Sequence, residues 1–160
     1  MSETPQRKLA AIMFSDMKGF SSQMDADEIG TMEILRKHNA VMEMAVDAHS
    51  GRVIKTIGDA YMVEFTSTVN AVACALDVQR RFSDLNLDYE DGGPFLVRIG
   101  IHVGDVVLEG SDLFGEAVNV AARLEPKAPV GGVCVSEAVY AQVRRKVHAV
   151  GKDMGFVELK

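Results

Sequence analysis

Residues 14–20 have the sequence Phe-Ser-Asp-Met-Lys-Gly-Phe, and residues 55–62 have the sequence Lys-Thr-Ile-Gly-Asp-Ala-Tyr-Met. In each stretch an aspartate, Asp16 or Asp59, follows a short apolar run beside a glycine, and such runs are typical of buried strands. A carboxylate at a strand end is held at the rim of a sheet, and two of them together suit hard divalent cations. Because two such cations can activate an oxygen nucleophile and neutralise a leaving phosphate, we expect phosphoryl chemistry on a nucleotide. Taken separately, each aspartate also fits a turn or a helix cap.

Hydrophobic periodicity along the rest of the chain predicts an α+β fold. The order of the elements matches a ferredoxin-like βαββαβ core, whose helices cover one face of a mainly antiparallel sheet. We expect a homodimer to cover the other face. The chain divides into a flexible N-terminal segment, 1–7, and a single domain, 8–160. The predicted helices are 28–48, 68–82, 115–124 and 137–145, and the predicted strands are 9–14, 53–57, 61–65, 96–108, 133–135 and 156–159.

The composition is that of an ordinary globular protein and disfavours several functions. The 160 residues include 48% hydrophobic and 25% charged side chains, and the net charge is −6. So acidic a chain does not favour nucleic acid, although a local cluster of Lys and Arg could still bind an anionic nucleotide. No apolar stretch approaches the roughly 20 residues of a membrane span, and the N-terminus lacks the apolar core of a signal peptide. We expect the isolated Cys74 and Cys134 to be buried and reduced, which together with these features indicates the cytoplasm.

The turn that follows Asp16 is a candidate phosphate-binding segment. A glycine allows the backbone to turn sharply, and successive N–H groups at a turn before a helix can hold phosphate oxygens. A plain loop is the alternative. Arg98, a cation inside a predicted strand and close to a glycine, is a further candidate for a phosphate contact. The residues of the turn are Met17, Lys18, Gly19, Phe20 and Ser21.

Two further pairs of residues suit the recognition of a nucleoside. Asn119 and Arg123 share one face of a predicted helix, where an amide and a guanidinium suit a sugar and a phosphate oxygen. Lys55 and Asp112 supply a donor and an acceptor that could bind a purine edge. The alternatives are a solvated helix face, an outward-facing strand lysine and a turn aspartate. The chain has no zinc-ligand spacing, Walker sequence or Gly-x-Gly-x-x-Gly motif.

Together these motifs resemble the catalytic domain of the class III adenylyl/guanylyl cyclases. Four segments occur in the order of that family: Phe-Ser-Asp-Met-Lys-Gly-Phe, Lys-Thr-Ile-Gly-Asp-Ala-Tyr-Met, Arg-Ile-Gly-Ile-His-Val-Gly and Phe-Gly-Glu-Ala-Val-Asn-Val-Ala-Ala-Arg. The resemblance extends from about Leu9 to Lys160, and the joint occurrence of the motifs outweighs the separate alternatives. It implies the class III nucleotide cyclase fold and the conversion of ATP to 3′,5′-cyclic AMP and pyrophosphate.

The resemblance implies roles for the metal-binding and purine-binding candidates. Asp16 and Asp59 correspond to the two aspartates that hold two divalent cations, Mg²⁺ or Mn²⁺. Lys55 corresponds to the purine-selecting lysine, and Asp112 corresponds to its acidic partner. Guanylyl cyclases usually have Glu at the lysine position, so Lys55 favours ATP. Adenine offers an acceptor at N1 and a donor at its 6-amino group, which match Lys and Asp, whereas guanine reverses this pattern.

The resemblance also implies how the site is shared between subunits. Asn119 corresponds to the residue that orients the ribose, and Arg123 corresponds to the arginine that stabilises the transition state. Arg98 and Lys160 correspond to contacts of the triphosphate. In this family two domains pair head to tail, one giving the metal aspartates and the other the purine and transition-state residues. Because this chain holds both sets, we expect a homodimer with two equivalent sites and an inactive monomer.

Two other interpretations remain open at the level of the sequence. A cyclase-like module without catalytic activity would bind a nucleotide or a partner and relay a signal, but the full set of polar site residues argues against it. A phosphotransferase of the polymerase-palm type would use the same two carboxylates, but the net charge of −6 and the Asn/Arg helix disfavour it. The family usually continues through another strand beyond the position of Lys160, so we expect this chain to be one domain of a larger regulated protein.

Overall fold

The computed structural model describes residues 5–147 as an alternation of strands and helices. Two short 3₁₀ segments, Glu90–Gly92 and Glu125–Lys127, lie between longer elements. Within the described residues, no helix is both long enough and apolar enough to cross a membrane. The elements in chain order are β1 (Gln6–Met17), α1 (Phe20–Ala26), α2 (Glu28–Ala48), β2 (Arg52–Ile57), β3 (Ala60–Phe65), α3 (Thr68–Asn86), β4 (Val97–Glu109), β5 (Asp112–Phe114), α4 (Glu116–Leu124), β6 (Val133–Val135) and α5 (Glu137–Val143).

The described strands form one sheet in which β1 is central. The main path has the order β2-β3-β1-β4-β5, and every neighbouring pair on this path is antiparallel. β6 pairs in parallel with β4. Pairing between β1 and β4 runs along the whole of β1, from Gln6 to Met17. The predicted α+β class and mainly antiparallel sheet are therefore confirmed.

The sheet separates two apolar clusters. On one face, α2, α3 and α5 pack against alternate residues of β1, including Ala11 and Met13. On the other face, Ala10 and Ile12 of β1 pack in a smaller cluster with Ala117 of α4. Since neighbouring residues of a strand point to opposite faces, β1 contributes to both clusters. The three helices of the larger cluster lie on one face as predicted, and α4 covers part of the second face.

Most predicted elements occur where the sequence places them. α2 has the predicted bounds, Glu28–Ala48, and the β2–β3 hairpin also forms. β1 begins at Gln6, which pairs with Leu108 of β4, so part of the segment 1–7 belongs to a strand instead of a flexible terminus. The strand predicted at 156–159 lies outside the described residues.

Two short elements are absent from the sequence-based prediction. α1 has seven residues and none of them is buried, so it lacks the apolar stripe that reveals a helix. β5 has three residues, which is too short for a recognisable alternation. Asp112, which we predicted in a turn, is the first residue of β5 and pairs with Glu109 of β4. The turn lies just before it, at residues 110 and 111.

The β4–β5 hairpin bends across the second face of the sheet. Leu113 of β5 packs in the same cluster as Ile12 of β1 and Met62 of β3. β2 and β5 stand at the two ends of the strand order, but this bend brings them into contact. The curvature places Lys55 of β2 beside Asp112 of β5.

Candidate active site

Asp16 and Asp59 are brought together by the pairing of β1 with β3. Asp59 lies in the β2–β3 turn directly after Gly58, whose φ of 61° is one that glycine adopts without strain. The Oδ2 atom of Asp59 accepts a hydrogen bond of 2.5 Å from the N–H of Met17, the residue that follows Asp16. Asp59 therefore lies directly beside the peptide that links Asp16 to Met17.

Arg98 faces Asp16 across the β1–β4 pairing. Its guanidinium lies 3.4 Å from Asp16 Oδ1 and 3.4 Å from Glu125 Oε1. The side chains of Arg98 and Asp16 are 28% and 29% exposed, so water screens their attraction in part. Arg98, which we predicted as a phosphate contact, thus lies in the same cluster as Asp16.

Glu125 is a residue of this cluster that the sequence analysis missed. It begins the 3₁₀ segment after α4, and its side chain is only 10% exposed. The absence of a side chain at Gly100 of β4 allows this close approach, because a Cβ there would lie 2.4 Å from the Glu125 nitrogen. Apart from the ion pair with Arg98, Glu125 Oε1 has no hydrogen-bond partner among the described residues. The position of Glu125 depends on this tertiary contact, so local sequence patterns carry no signal for it.

The surroundings of Glu125 favour its protonated form. Burial raises the pKa of Glu125 to about 8, the neighbouring carboxylate of Asp16 adds to the increase, and the positive charge of Arg98 opposes it. Asp59 adds a further increase in the pKa of Glu125. Asp59 has this effect because carboxyl groups that share a site repel one another when they are ionised.

The acidic cluster fits divalent cations. The guanidinium of Arg98 lies near the carboxyl groups of Asp16 and Glu125, and the negative charges of Asp16 and Asp59 add to the effect of burial in raising the pKa of Glu125. Within residues 5–147, no group of three or more His, Cys, Asp and Glu side chains is arranged to hold an ion by itself. Mg²⁺ usually binds one or two protein carboxylates and completes its coordination with water and substrate phosphates. The oxygen donors of Asp16 and Asp59 match that requirement.

Lys55 and Asp112 form an ion pair between the two edge strands. The Nζ atom of Lys55 lies 3.1 Å from Asp112 Oδ2, and Asp112 Oδ1 accepts a hydrogen bond of 2.8 Å from the N–H of Leu113. The hydrogen bond from Lys55, followed by that from Leu113, lowers the pKa of Asp112. Lys55 is 42% exposed and Asp112 is 33% exposed, so both groups are accessible to a ligand. The structure therefore brings together the two residues that we assigned to the purine.

α4 presents Asn119 and Arg123 to the surface. Its buried residues, such as Ala121, face the sheet, whereas Asn119 and Arg123 are exposed. Among the residues that the structure describes, no hydrogen bond joins either of these side chains to the aspartate pair. Lys160, which we predicted as a triphosphate contact, lies outside the described residues.

The predicted phosphate segment, 17–21, joins the end of β1 to the beginning of α1. Its first N–H donates to Asp59, and the N–H of Lys18 donates a hydrogen bond of 2.7 Å to the carbonyl of Leu96. Gly19 has a φ of 75° and leads directly into α1. The first two amides are thus used within the chain, and phosphate binding by the remaining residues stays a prediction.

Solved structures that share this fold include nucleotide cyclases. The adenylate/guanylate cyclase/hydrolase from Silicibacter pomeroyi superimposes with a TM-score of 0.91 at 34% identity, covering 98% of this chain and 92% of that chain. The adenylyl cyclase CyaB from P. aeruginosa superimposes with a TM-score of 0.87 at 21% identity, covering 98% and 90%. At that identity the second match shows the fold alone. The architecture is that of the class III nucleotide cyclases.

Sequence comparison then identifies the family. The profile of the Adenylate and Guanylate cyclase catalytic domain matches residues 3–160, and the chain belongs to this family. Putative adenylate cyclase 3 of Rhizobium meliloti is 40% identical over 159 residues, which cover 99% of this chain and 27% of that protein. The chain therefore spans less than a third of the length of this relative.

Proposed function

We propose that this chain is an adenylate cyclase that converts ATP to 3′,5′-cyclic AMP and pyrophosphate. The observation that carries the choice of ATP is the ion pair of Lys55 and Asp112, 3.1 Å apart on β2 and β5. The ammonium group matches the N1 acceptor of adenine, and the carboxylate matches the 6-amino donor. Guanine has a donor at N1 and an acceptor at O6. The Lys55 ammonium would then face another donor, and the Asp112 carboxylate would face another acceptor. The R. meliloti relative, which is named as a putative adenylate cyclase, agrees with this choice.

The acidic cluster forms the reacting end of the proposed site. Asp16 and Asp59 would hold two divalent cations, which when bound lower the pKa of the ribose 3′-hydroxyl and neutralise the triphosphate. The hydrogen bond from the Met17 N–H to Asp59 keeps that carboxylate in place beside β1. Arg98, whose guanidinium already faces this cluster, can donate hydrogen bonds to a phosphate oxygen.

Asn119 and Arg123 have the groups needed to position the ribose and to stabilise the transition state. In the proposed reaction the 3′-oxygen attacks the α-phosphorus in line, and pyrophosphate leaves. The Asn119 amide would hold the ribose in the orientation for this attack. Arg123 would donate to the α-phosphate as its negative charge grows, and a donor of this kind is typically worth about 3–4 kcal/mol.

We also propose that the active form is a head-to-tail homodimer with two shared sites. Asp16 lies at the end of β1 and Asp59 in the β2–β3 turn, whereas Asn119 and Arg123 lie exposed on α4, and no hydrogen bond joins the two pairs within residues 5–147. A second copy would supply the missing half of each site. Ile57 and Phe114, near the ends of β2 and β5, are 70% and 47% exposed, and exposed apolar residues of this size favour an interface.

The whole protein is proposed to carry further domains. The chain spans 27% of the R. meliloti relative and 37% of an adenylate cyclase of Mycobacterium bovis that is 33% identical. We therefore propose that additional domains regulate the cyclase. We place the reaction in the cytoplasm, where ATP is available and the product can act as an intracellular signal.

Product analysis tests the proposed reaction. The purified chain is incubated with Mn²⁺ and either ATP or GTP, and cyclic nucleotides and pyrophosphate are quantified. We expect cyclic AMP from ATP, a much lower yield of cyclic GMP, and no product from Asp59→Asn, which keeps an oxygen acceptor for the Met17 N–H. Asp88→Asn, at an exposed position after α3, is the control and should retain activity. Binding of ATP without any product from a proven dimer would instead support the non-catalytic module.

Mixed dimers test the shared site. Arg123→Ala and Asp16→Ala should each be inactive, but a mixed dimer of the two would keep one intact site. Random pairing gives heterodimers in half of the population, so turnover should recover to about a quarter of the wild-type value. Failure to recover activity from dimers whose mixed composition is demonstrated by mass would refute the shared-site arrangement.

A further inference from the structure

A cavity of about 410 Å³ lies at the carboxyl-terminal end of α3, and the proposed reaction does not use it. Its walls come from the last two turns of α3, the segment that joins α3 to β4, and the turn before β6. Small-molecule sites usually measure about 300–1,000 Å³, so the cavity has a suitable size. A stable protein interface needs roughly 800 Å² of surface from each partner, so the size favours a small molecule as the occupant.

The lining of the cavity is aromatic and uncharged. None of the described residues that line it carries a charge, although 25% of the residues in the chain are charged. The buried rings of Phe82 and Phe95 lie parallel, with centroids 5.7 Å apart. The ring of Tyr89, a residue that is 38% exposed, stands edge-on to the ring of Phe95. A flat, neutral ring can stack on such side chains or meet them edge-on.

Exposed apolar side chains also line this cavity. Leu87 is 80% exposed, and Val130, in the turn before β6, is 40% exposed. Apolar side chains that are grouped in this way around a concave surface are typical of a binding site. An apolar ligand would remove part of their surface from water, which favours binding. Ser83 is a further exposed lining residue, and its hydroxyl can pair with one polar group of a ligand.

One wall of the cavity is hydrogen-bonded to the predicted phosphate segment. The carbonyl of Leu96, a lining residue, accepts a hydrogen bond of 2.7 Å from the N–H of Lys18. The side-chain amide of Asn86 joins the same wall to α3, because it donates to the carbonyl of Phe95 and accepts from its N–H. The wall between α3 and β4 therefore contacts the cavity on one side and the phosphate segment on the other.

We propose that this cavity is an effector site for a neutral aromatic small molecule. A ligand in contact with Tyr89 and Phe95 would restrict the wall that carries Leu96. Through the hydrogen bond with Lys18, it would also restrict the phosphate segment. A segment that is already ordered loses less conformational entropy when a triphosphate binds, so the effector would raise the affinity for ATP. This coupling rests on the proposed function, whereas binding of the aromatic molecule does not.

The binding test uses indole as the probe, because indole is flat, neutral and has a single hydrogen-bond donor. The Tm of the full chain is measured against indole concentration, and amide NMR spectra locate the binding site. At ten times the Kd of indole, Tm should rise by about 3–6 °C. The amide signals of Gly92 and Gly131, which line the cavity, should shift, whereas that of Gly110 in the β4–β5 turn should not.

A pair of neighbouring substitutions on α3 tests the location of the site. Ser83→Trp places a large side chain in the cavity and should abolish the response to indole. Asp84→Trp, at an exposed position that does not line the cavity, is the matched control and should retain the response. Should Ser83→Trp fail to fold, Val130→Trp fills the cavity from the turn before β6.

The coupling is measured with 3′-deoxy-ATP, which lacks the attacking hydroxyl and therefore cannot be converted to a cyclic product. Isothermal titration in the presence of Mn²⁺ gives its Kd with and without saturating indole. We expect indole to lower this Kd by roughly fivefold or more, which is the usual size of an allosteric coupling. Ser83→Trp should show no such dependence on indole.

Three outcomes would overturn the proposal. The first is the absence of any indole-dependent change in Tm or in the glycine signals up to the solubility limit of indole. The second is a response that Ser83→Trp retains or that Asp84→Trp loses. The third is binding of indole without any change in the Kd of 3′-deoxy-ATP. Failure of the proposed function would look different, because indole would bind as expected but 3′-deoxy-ATP would not bind with or without it.

Discussion

Replacement of Gly100 by alanine tests whether the chain after α4 must lie against β4. The added Cβ would lie 2.4 Å from the nitrogen and 2.8 Å from the Cα of Glu125. Comfortable contacts of carbon begin near ~3.5 Å, so the 3₁₀ segment must move by roughly 1 Å. The obstructing atoms belong to the backbone, so no change of rotamer can remove the overlap.

The overlap at Gly100 sets the expected loss of stability and of turnover in Gly100→Ala. Overpacking of this kind costs about 1–3 kcal/mol of unfolding free energy. In a domain of this length each kcal/mol lowers Tm by about 2–4 °C, so Tm should fall by roughly 2–12 °C. The displaced segment carries Glu125 and directly follows the end of α4, which carries Arg123. If Arg123 acts as proposed, a shift of this size can lower turnover by roughly a hundredfold, so activity should fall even where the variant is fully folded.

Gly104→Ala is the matched control for Gly100→Ala. Gly104 lies four residues further along β4, on the same face, and a Cβ there would lie 3.1 Å from the Cβ of Ala117. That contact involves a single methyl group, so a small shift relieves it and the loss of stability should be smaller. Thermal unfolding and initial rates, measured well below both transitions, compare the two variants. A Gly100→Ala protein with wild-type Tm and turnover would refute the close contact between β4 and Glu125.

Two further predictions concern the purine pair and the acid stability. Lys55→Gln replaces a pure donor by an amide that can also accept, so the ratio of ATP to GTP turnover should fall towards one, and Lys37→Gln, at an exposed helix position, should leave it unchanged. Burial alone would raise the pKa of Glu64, but the hydrogen bonds and charges of Lys8 and Arg52 outweigh it and hold that pKa below its ordinary value of 4.5. Glu64 therefore contributes stability above pH 4.5 that is lost as the pH falls through its lowered pKa. Glu64→Gln should lower the unfolding free energy by about 1–3 kcal/mol at neutral pH, and urea titrations should show the difference shrinking in acid; a constant difference at every pH would contradict this account.

Local pattern accounts for the parts of the fold that the sequence predicts well. The 21 residues of α2 carry an apolar stripe, and Asp27 caps the helix by accepting a hydrogen bond from the N–H of Gly30. The β2–β3 hairpin also depends on a short-range signal, a glycine and an aspartate between two apolar runs. Helix α2 and the β2–β3 hairpin depend on residues that are close together in the chain, so a single sequence is enough to predict them.

The features that the sequence did not reveal depend on contacts between distant segments. Glu125 enters the acidic cluster because Gly100, 25 residues earlier, has no side chain to exclude it. Asp112 belongs to a strand only because the end of β4 offers it a partner. Motif resemblance linked Asp112 to Lys55, and the structure pairs these two side chains although Asp112 was predicted in a turn. No motif that we recognised included Glu125.

The bend of the β4–β5 hairpin has a consequence for the proposed recognition of adenine. Lys55 and Asp112 sit on the outermost strands, so the gap between their charged groups is set by the coiling of every strand that separates them. A force applied to the helical layer, for example by a neighbouring domain, would widen or narrow that gap without altering any residue that touches the nucleotide. Discrimination between ATP and GTP would then be a mechanical property of the entire sheet, open to adjustment from a distance.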